Sequence, residues 1–398
     1  MPSVRTPDQL LALDQLLTEE ERATADTVRA VLDDHVRPHV GRWYLDGTLP
    51  ARELAKLFGD LGLLGMHLEG YGCAGTTASM YGVACRELEA ADGGVRSLVS
   101  VQGSLAMYAI HRFGSEEQKH QWLPRMAAGE VIGCFGLTEP DAGSDPGSMR
   151  TRARRDSDAE RSDWVLNGSK MWITNSPIAD VAVVWAHTDG GIRGFIVPTG
   201  TPGVSTPEIH GKISLRASVT GEIVLDDVRV PHDAVLPGVT GLKGPLSCLT
   251  EARFGIIWGA TGAIRDSLTA ALEYAAGRVQ FGRPIAGFQL TQAKFADAEV
   301  AYAKAVLLAL HLGRVKDGQV PGARISPEMI SAGKFDNVRA ALEVARSMRT
   351  ILGGSGITID FSPLRHAVNL ETVLTYVGTQ EIHQLVIGKA LTGLAAFS

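Results

Sequence analysis

Between Leu10 and about Arg125 the apolar residues recur every three and four positions, as in LAKLFGDLGLLG and YGVACRELEAADGG, with glycine-rich breaks between the runs. That period predicts a series of amphipathic helices. The period then changes. WVLNGSKMWI alternates around Asn167-Gly168, a dipeptide that signals a β-hairpin turn, and it is followed by VAVVWAH, RGFIVP and EIVLDDVRVP; these predict a strand-rich region from roughly Val131 to Val239. From about Pro245 the helical period returns in IWGATGAIRDSLTAALEYAAGR, LTQAKFADAEVAYAKAVLLALHLGRVKDG and ISPEMISAGKFDNVRAALEVARSMRTIL, long enough for an antiparallel bundle. The division expected is 1–130 helical, 131–243 β and 244–398 a helical bundle. An α, β, α order excludes a doubly wound nucleotide-binding sheet, whose strands and helices alternate throughout.

Composition narrows the class further. With 398 residues, 45% of them hydrophobic and 21% charged, the chain can bury more than one core and lacks the charge excess of disordered chains. A net charge of −6 offers no footprint for nucleic acid. The short basic run RTRARRD, 150–156, reads as a solvated loop, with a ligand phosphate as its alternative use. No stretch reaches the roughly 20 apolar residues of a membrane span, and Asp8 and Asp14 interrupt the opening segment, so neither membrane insertion nor a signal peptide is expected. Cys73, Cys85, Cys134 and Cys248 have no CxxC spacing and suit free thiols in a reducing cytoplasm, while the 11 histidines show no ligand spacing for a metal.

The segment Cys134-Phe-Gly-Leu-Thr-Glu-Pro-Asp-Ala-Gly-Ser-Asp145 resembles the signature of acyl-CoA dehydrogenases. Trp172-Ile-Thr-Asn175, Arg278-Val-Gln-Phe-Gly282, Leu352-Gly-Gly-Ser-Gly356 and Gly378-Thr-Gln-Glu-Ile382 follow in the family's order. YGCAG, VRSLVSVQGSL, GKISLRAS and RHAVNLE are similar to the glutaryl-CoA dehydrogenase branch. The resemblance covers nearly the whole chain. It implies an α+β multidomain fold: an N-terminal helical domain, a middle β-barrel or sandwich domain and a C-terminal four-helix bundle, assembled as a homotetramer with one FAD per subunit. It also implies that Phe135, Leu137, Thr138, Gly143, Ser144, Trp172, Ile173 and Thr174 contact that FAD. Arg278, Phe281, Gln289, Gly353 and Gly354 would reach the FAD of a neighbouring subunit, with Thr379 and Glu381 touching cofactor after the catalytic turn. The chemistry suits these types: hydroxyl and backbone N–H donors hold the flavin's polar edge, tryptophan flanks its ring and arginine pairs with pyrophosphate. Electron-transfer flavoprotein or O2 would be the electron acceptor, and an acyl-CoA or acyl-carrier-protein thioester the substrate.

Arg96 and Ser97 match positions that hold the distal carboxylate of a dicarboxylic acyl group, Glu89 matches a nearby acid of that pocket, and Arg253, Gly378 and Ser144 match further substrate contacts. At the base position the family's turn reads Tyr-Glu-Gly-Thr, yet here it reads Tyr376-Val377-Gly378-Thr379. Valine cannot accept a proton, so ordinary α,β-dehydrogenation loses a contribution of about 10²–10⁴-fold. The backbone N–H remains to polarise a thioester carbonyl. Some relatives carry the base just before the arginine matching Arg253; Ala252 stands there, and Glu251 is one step away, rotated by about 100° on a helix. Three readings stay open: a flavoenzyme with altered chemistry (decarboxylation, oxygenation or base-independent oxidation), a dehydrogenase using Glu251, and a silent thioester-binding protein that keeps FAD.

Overall fold

The computed structural model describes residues 5–157, 159 and 161–396. Its first part is helical: α1 (Pro7–Leu10), α2 (Glu19–His35), α3 (Arg37–Asp46), α4 (Ala51–Asp60), α5 (Ala78–Ala91), α6 (Gly93–Ser100), α7 (Tyr108–Phe113) and α8 (Glu116–Ala127). Local chemistry fixes several starts. Thr18 and Ser115 open α2 and α8 with reciprocal capping boxes, and the Asp92 carboxylate accepts from Gly94 N at the head of α6. Between α6 and α7 the chain winds in wider π-type turns over Val101–Met107.

Seven strands follow: β1 (Gly133–Gly136), β2 (Arg152–Arg155), β3 (Trp164–Thr174), β4 (Val181–Thr188), β5 (Gly191–Pro198), β6 (Val204–Ser205) and β7 (Thr220–Val230). They form one sheet in which β3 lies antiparallel to β7, with β2 on its other side, while β4 pairs parallel with β1 and antiparallel with β5. Trp164, Leu166, Phe195, Ile223 and Val228 fill the sheet's own small core.

Two expectations are corrected here. Asn167-Gly168 makes no hairpin turn, because β7 is already beside β3 and takes its hydrogen bonds. The pair forms a β-bulge inside the continuous strand β3, where the register shifts between Leu166 and Gly168. Gly168 takes φ +143°, and a Cβ there would stand 2.5 Å from Thr151 Oγ1, so glycine marks a close approach. The run RTRARRD is likewise no loop: Arg152–Arg155 is strand β2, with Ala153 buried and its arginines exposed.

The last part holds α9 (Lys243–Gly277), a small hairpin of β8 (Val279–Gln280) and β9 (Arg283–Pro284), α10 (Gln289–Lys316), α11 (Pro327–Ile351), α12 (Ser362–Thr375) and α13 (Gln380–Thr392). The two helical parts share one large core, in which α9 packs against both α5 and α11. The contact is close because small residues permit it: a Cβ on Gly262 would sit 1.9 Å from Arg86 O, and one on Gly82 2.4 Å from the Trp258 ring. A buried charge cluster crosses the same seam. Glu87 accepts from Arg265 at 2.8 Å, Arg29 at 3.1 Å and Arg86 at 3.2 Å. Burial pushes its carboxyl up, but the surrounding guanidinium groups outweigh that and hold it far below the usual carboxylate range.

Candidate active site

The turn between α12 and α13, residues 376–379, is built from beneath. Lys334 rises from α11, and its Nζ donates to Tyr376 O at 2.8 Å and to Gly378 O at 2.7 Å. Arg253 reaches over from α9, and its Nε donates to Val377 O at 2.7 Å. Three consecutive carbonyls thus accept from cationic side chains. Val377 is held at φ +55° and Gly378 at φ +99°, a conformation that costs a β-branched residue about 1–3 kcal/mol. Thr379 then caps α13 by accepting from Ile382 N.

Neither Lys334 nor Arg253 has a carboxylate partner among the described residues. Burial pushes the Lys334 amine well below its ordinary value, aided by the charges of Arg253 and Arg96. The Arg253 guanidinium is lowered to about 10 by burial alone. His383, behind Gly378, is pushed down to about 3, first by burial and then by Lys334 and Arg253, and neither of its ring nitrogens has a partner. The side of the turn that faces these basic groups therefore lacks an acid among the described residues.

The other half of the site is compensated. Arg96, 2% exposed on the first turn of α6, donates through Nε to Glu89 and through Nη2 to the Tyr376 hydroxyl. Asp92, which caps α6 and so aims Arg96, also accepts from Arg365 Nε at 2.9 Å and Asn369 Nδ2 at 3.1 Å. Both carboxylates near the pocket are thereby paired with arginine. Ser97 Oγ is buried beside Arg96 without a partner. Glu251 is not brought to the turn: on α9 it accepts from Lys316 Nζ of α10 at 2.7 Å, since one helical step from Ala252 turns it toward a different neighbour than Arg253 has.

A second constellation lies on the sheet. Phe135 and Leu137 are buried, Thr138 follows β1, and Thr138 O accepts from Met171 N at 2.9 Å, which brings Thr138 beside Trp172, Ile173 and Thr174 at the end of β3. Trp172 stands 56% exposed at φ +63°, and the hydroxyls of Thr138 and Thr174 make no hydrogen bond within the described residues. The segment between is held from behind by Glu139, which accepts from Thr151 N at 2.9 Å and from the buried Lys170 at 2.7 Å. Burial lowers Lys170 to about 8, and Glu139 pulls the other way. Gly143 and Ser144 are exposed at its tip. Arg278, Phe281, Gln289, Gly353 and Gly354 are also exposed, and no hydrogen bond joins them to Thr138 or Trp172 within the described chain. Glu381 is exposed on the first turn of α13.

The sequence reading missed Lys334, Tyr376, His383, Glu139 and Lys170. A signal for Lys334 exists: it lies on the apolar stripe Ile330, Lys334, Asn337, Val338, Ala341, where a surface lysine has no place.

The chain belongs to the acyl-CoA dehydrogenase family: its residues 18–130, 134–228 and 240–392 match the models of that family's N-terminal, middle and C-terminal domains. Among solved structures, it is 62% identical to glutaryl-CoA dehydrogenase from Mycobacterium smegmatis, with a TM-score of 0.95 over 99% of this chain and 100% of that one. A glutaryl-CoA dehydrogenase from the same organism in complex with FADH2 is 60% identical, with a TM-score of 0.96 over 99% and 100%. The human mitochondrial short-chain specific acyl-CoA dehydrogenase is 35% identical over 379 residues, 93% of this chain and 90% of the relative. The chain is thus an acyl-CoA dehydrogenase family oxidoreductase of the three-domain fold, similar to the glutaryl-CoA branch. Among the described residues no helix is long and apolar enough to cross a membrane.

Proposed function

We propose that this protein is an FAD-dependent flavoenzyme that acts on a carboxylated acyl thioester without the usual carboxylate base, so that decarboxylation, oxygenation or oxidation of a substrate that needs no protein base replaces ordinary dehydrogenation. The observation that carries this reading is the turn at Val377: an aliphatic side chain above Lys334 and Arg253, with Glu89 and Asp92 each paired to arginine and Glu251 paired to Lys316.

The residues present fit the cofactor. An exposed Trp172 and unpaired Thr138 and Thr174 hydroxyls offer one flat apolar wall and two donors on a rigid strand end, as a flavin needs. When bound, FAD supplies the hydride acceptor. Phe281, 95% exposed, with Arg278, Gln289 and the glycines of Leu352-Gly-Gly, supports a role across a subunit contact and hence a homotetramer. For substrate, Arg96 and Ser97 offer charge and a free hydroxyl to an acyl carboxylate, and the N–H groups of the Val377 turn offer donors to the thioester oxygen. Loss of carbon dioxide from the carbon next to the thioester carbonyl, or from a carbon conjugated with it, leaves the bonding electron pair as an enolate that then takes a proton from water, so that step needs no protein base.

The test is anaerobic mixing of the FAD-loaded protein with glutaryl-CoA, followed by a screen of carboxylated and uncarboxylated CoA and carrier-protein thioesters. The expected result is an oxidised flavin band unchanged over many minutes with glutaryl-CoA, together with carbon dioxide release or oxygen uptake with at least one carboxylated thioester. Rapid bleaching by glutaryl-CoA would restore ordinary dehydrogenation. No binding and no turnover with any thioester would leave a silent protein.

A further inference from the structure

The peptide bonds of the described chain are all trans, so in each of them the N–H points opposite to the C=O. The carbonyls of Tyr376, Val377 and Gly378 are fixed on Lys334 and Arg253. Their peptide partners, the N–H groups of Val377, Gly378 and Thr379, are therefore turned away from those cations. None of the three donates to any acceptor among the described residues, although Tyr376 N just before them donates to Thr372 O and His383 N just after them to Thr379 O. A run of neighbouring free N–H groups of this kind is a concave donor site for negative oxygen.

We propose that Lys334, with Arg253, is a positioning residue that locks the turn over residues 376–378 so that two adjacent N–H groups, those of Val377 and Gly378, face a developing enolate oxygen. The inference rests on the reading that this pocket holds an acyl thioester, and it goes beyond it by assigning the alignment of the donors to a lysine that never touches the ligand. Three features set Lys334 apart from an ordinary structural cation. It bridges two carbonyls separated by a single residue, which fixes both peptide planes at once. It sits desolvated with no acid beside it among the described residues, so the two carbonyls are what its donors answer to. And it holds Val377 in a left-handed conformation that a β-branched residue avoids when free.

The consequence follows from the chemistry. A fixed N–H pair stabilises the enolate more than the neutral thioester, because negative charge strengthens a hydrogen bond that is already in place. With valine in the base position, this stabilisation does not depend on a protein carboxylate.

The test uses the FAD-loaded protein and a 3-oxoacyl-CoA such as acetoacetyl-CoA, whose enolate absorbs in the ultraviolet, titrated against pH in the wild type, Lys334→Met, Lys334→Arg and Arg253→Gln. Other groups facing the turn are Arg96 and His383, and both are unchanged in the two Lys334 variants. We expect the bound probe to ionise at a lower pH than the free probe in the wild type. Ionisation should be about 10–100-fold weaker in Lys334→Met, the scale of one lost oxyanion donor or less, and partly recovered in Lys334→Arg. Arg253→Gln, which loosens the middle carbonyl alone, should weaken ionisation and so answers the question even if Lys334→Met fails to fold. Probe bound by every folded variant and ionised at the same pH in all of them would overturn the positioning role and leave the thioester reading intact. Failure of the wild type to bind the probe would overturn both.

Discussion

Two buried cationic centres flank Tyr376, and they differ in what answers their charge. Arg96 is met by Glu89 and by the Tyr376 hydroxyl, whereas Lys334 and Arg253 are met only by peptide carbonyls. The first is a closed ion pair whose guanidinium is already shared with a hydroxyl. The second is an open platform of basic side chains beneath a turn that carries Val377. A charge with a partner specifies shape, and a charge without one is available to stabilise a negative group that arrives later.

The largest effect should come from closing the open centre. Val377→Glu places a carboxylate above Lys334 and Arg253, and we expect it to raise the rate of flavin bleaching by glutaryl-CoA by about 10²–10⁴-fold. Unchanged kinetics in a variant that still binds FAD would show that the pocket differs from its relatives by more than one side chain.

Breaking the closed centre comes next. Arg96→Met leaves Glu89 buried without its cation, a loss of about 3–5 kcal/mol, measurable by urea unfolding. Lys334→Met should cost less than that, since it removes an unpaired charge together with two hydrogen bonds. The reverse order would erase the distinction between the centres.

The pH dependence sharpens the contrast at smaller scale. His383 is held neutral, its pKa lowered from 6.5 to about 3 by burial and then by Lys334 and Arg253. The unfolded chain takes up a proton that the folded one refuses. This contribution is fully present above about pH 6.5 and is lost as the pH falls toward 3. We expect His383→Gln to flatten the stability profile there by up to about 1.4 kcal/mol per pH unit, read from unfolding midpoints at a series of pH values.

The smallest effect is expected at Ser97, whose hydroxyl is buried and unpaired. Ser97→Ala should change the stability of the free protein by no more than about 0.5 kcal/mol while weakening a carboxylated acyl thioester in a calorimetric titration. A large loss of stability instead would assign the hydroxyl to the fold.

The order of helical, strand and helical regions was legible because a change of hydrophobic period is a local property. Asn167-Gly168 misled because the same dipeptide serves a turn or a bulge, and only β7, more than fifty residues onward, decides between them. Thr138, Trp172 and Arg96 were named only through resemblance. Lys334 was not named, since its partners are the carbonyls of Tyr376 and Gly378, and backbone atoms leave no trace in residue identity. Glu251 could be weighed only by its distance from Arg253 along a helix, whereas Lys316 on a different helix settles where its carboxylate points.

The seam between the two helical parts bears on how the chain is made. Glu87 on α5 relies on Arg265 of α9, 178 residues later, for its strongest contacts. At about 5–20 residues per second the ribosome needs roughly 9 to 36 s to deliver that partner. During that interval the nascent N-terminal helices expose the surface on which Trp258 will later rest, a natural client face for a chaperone.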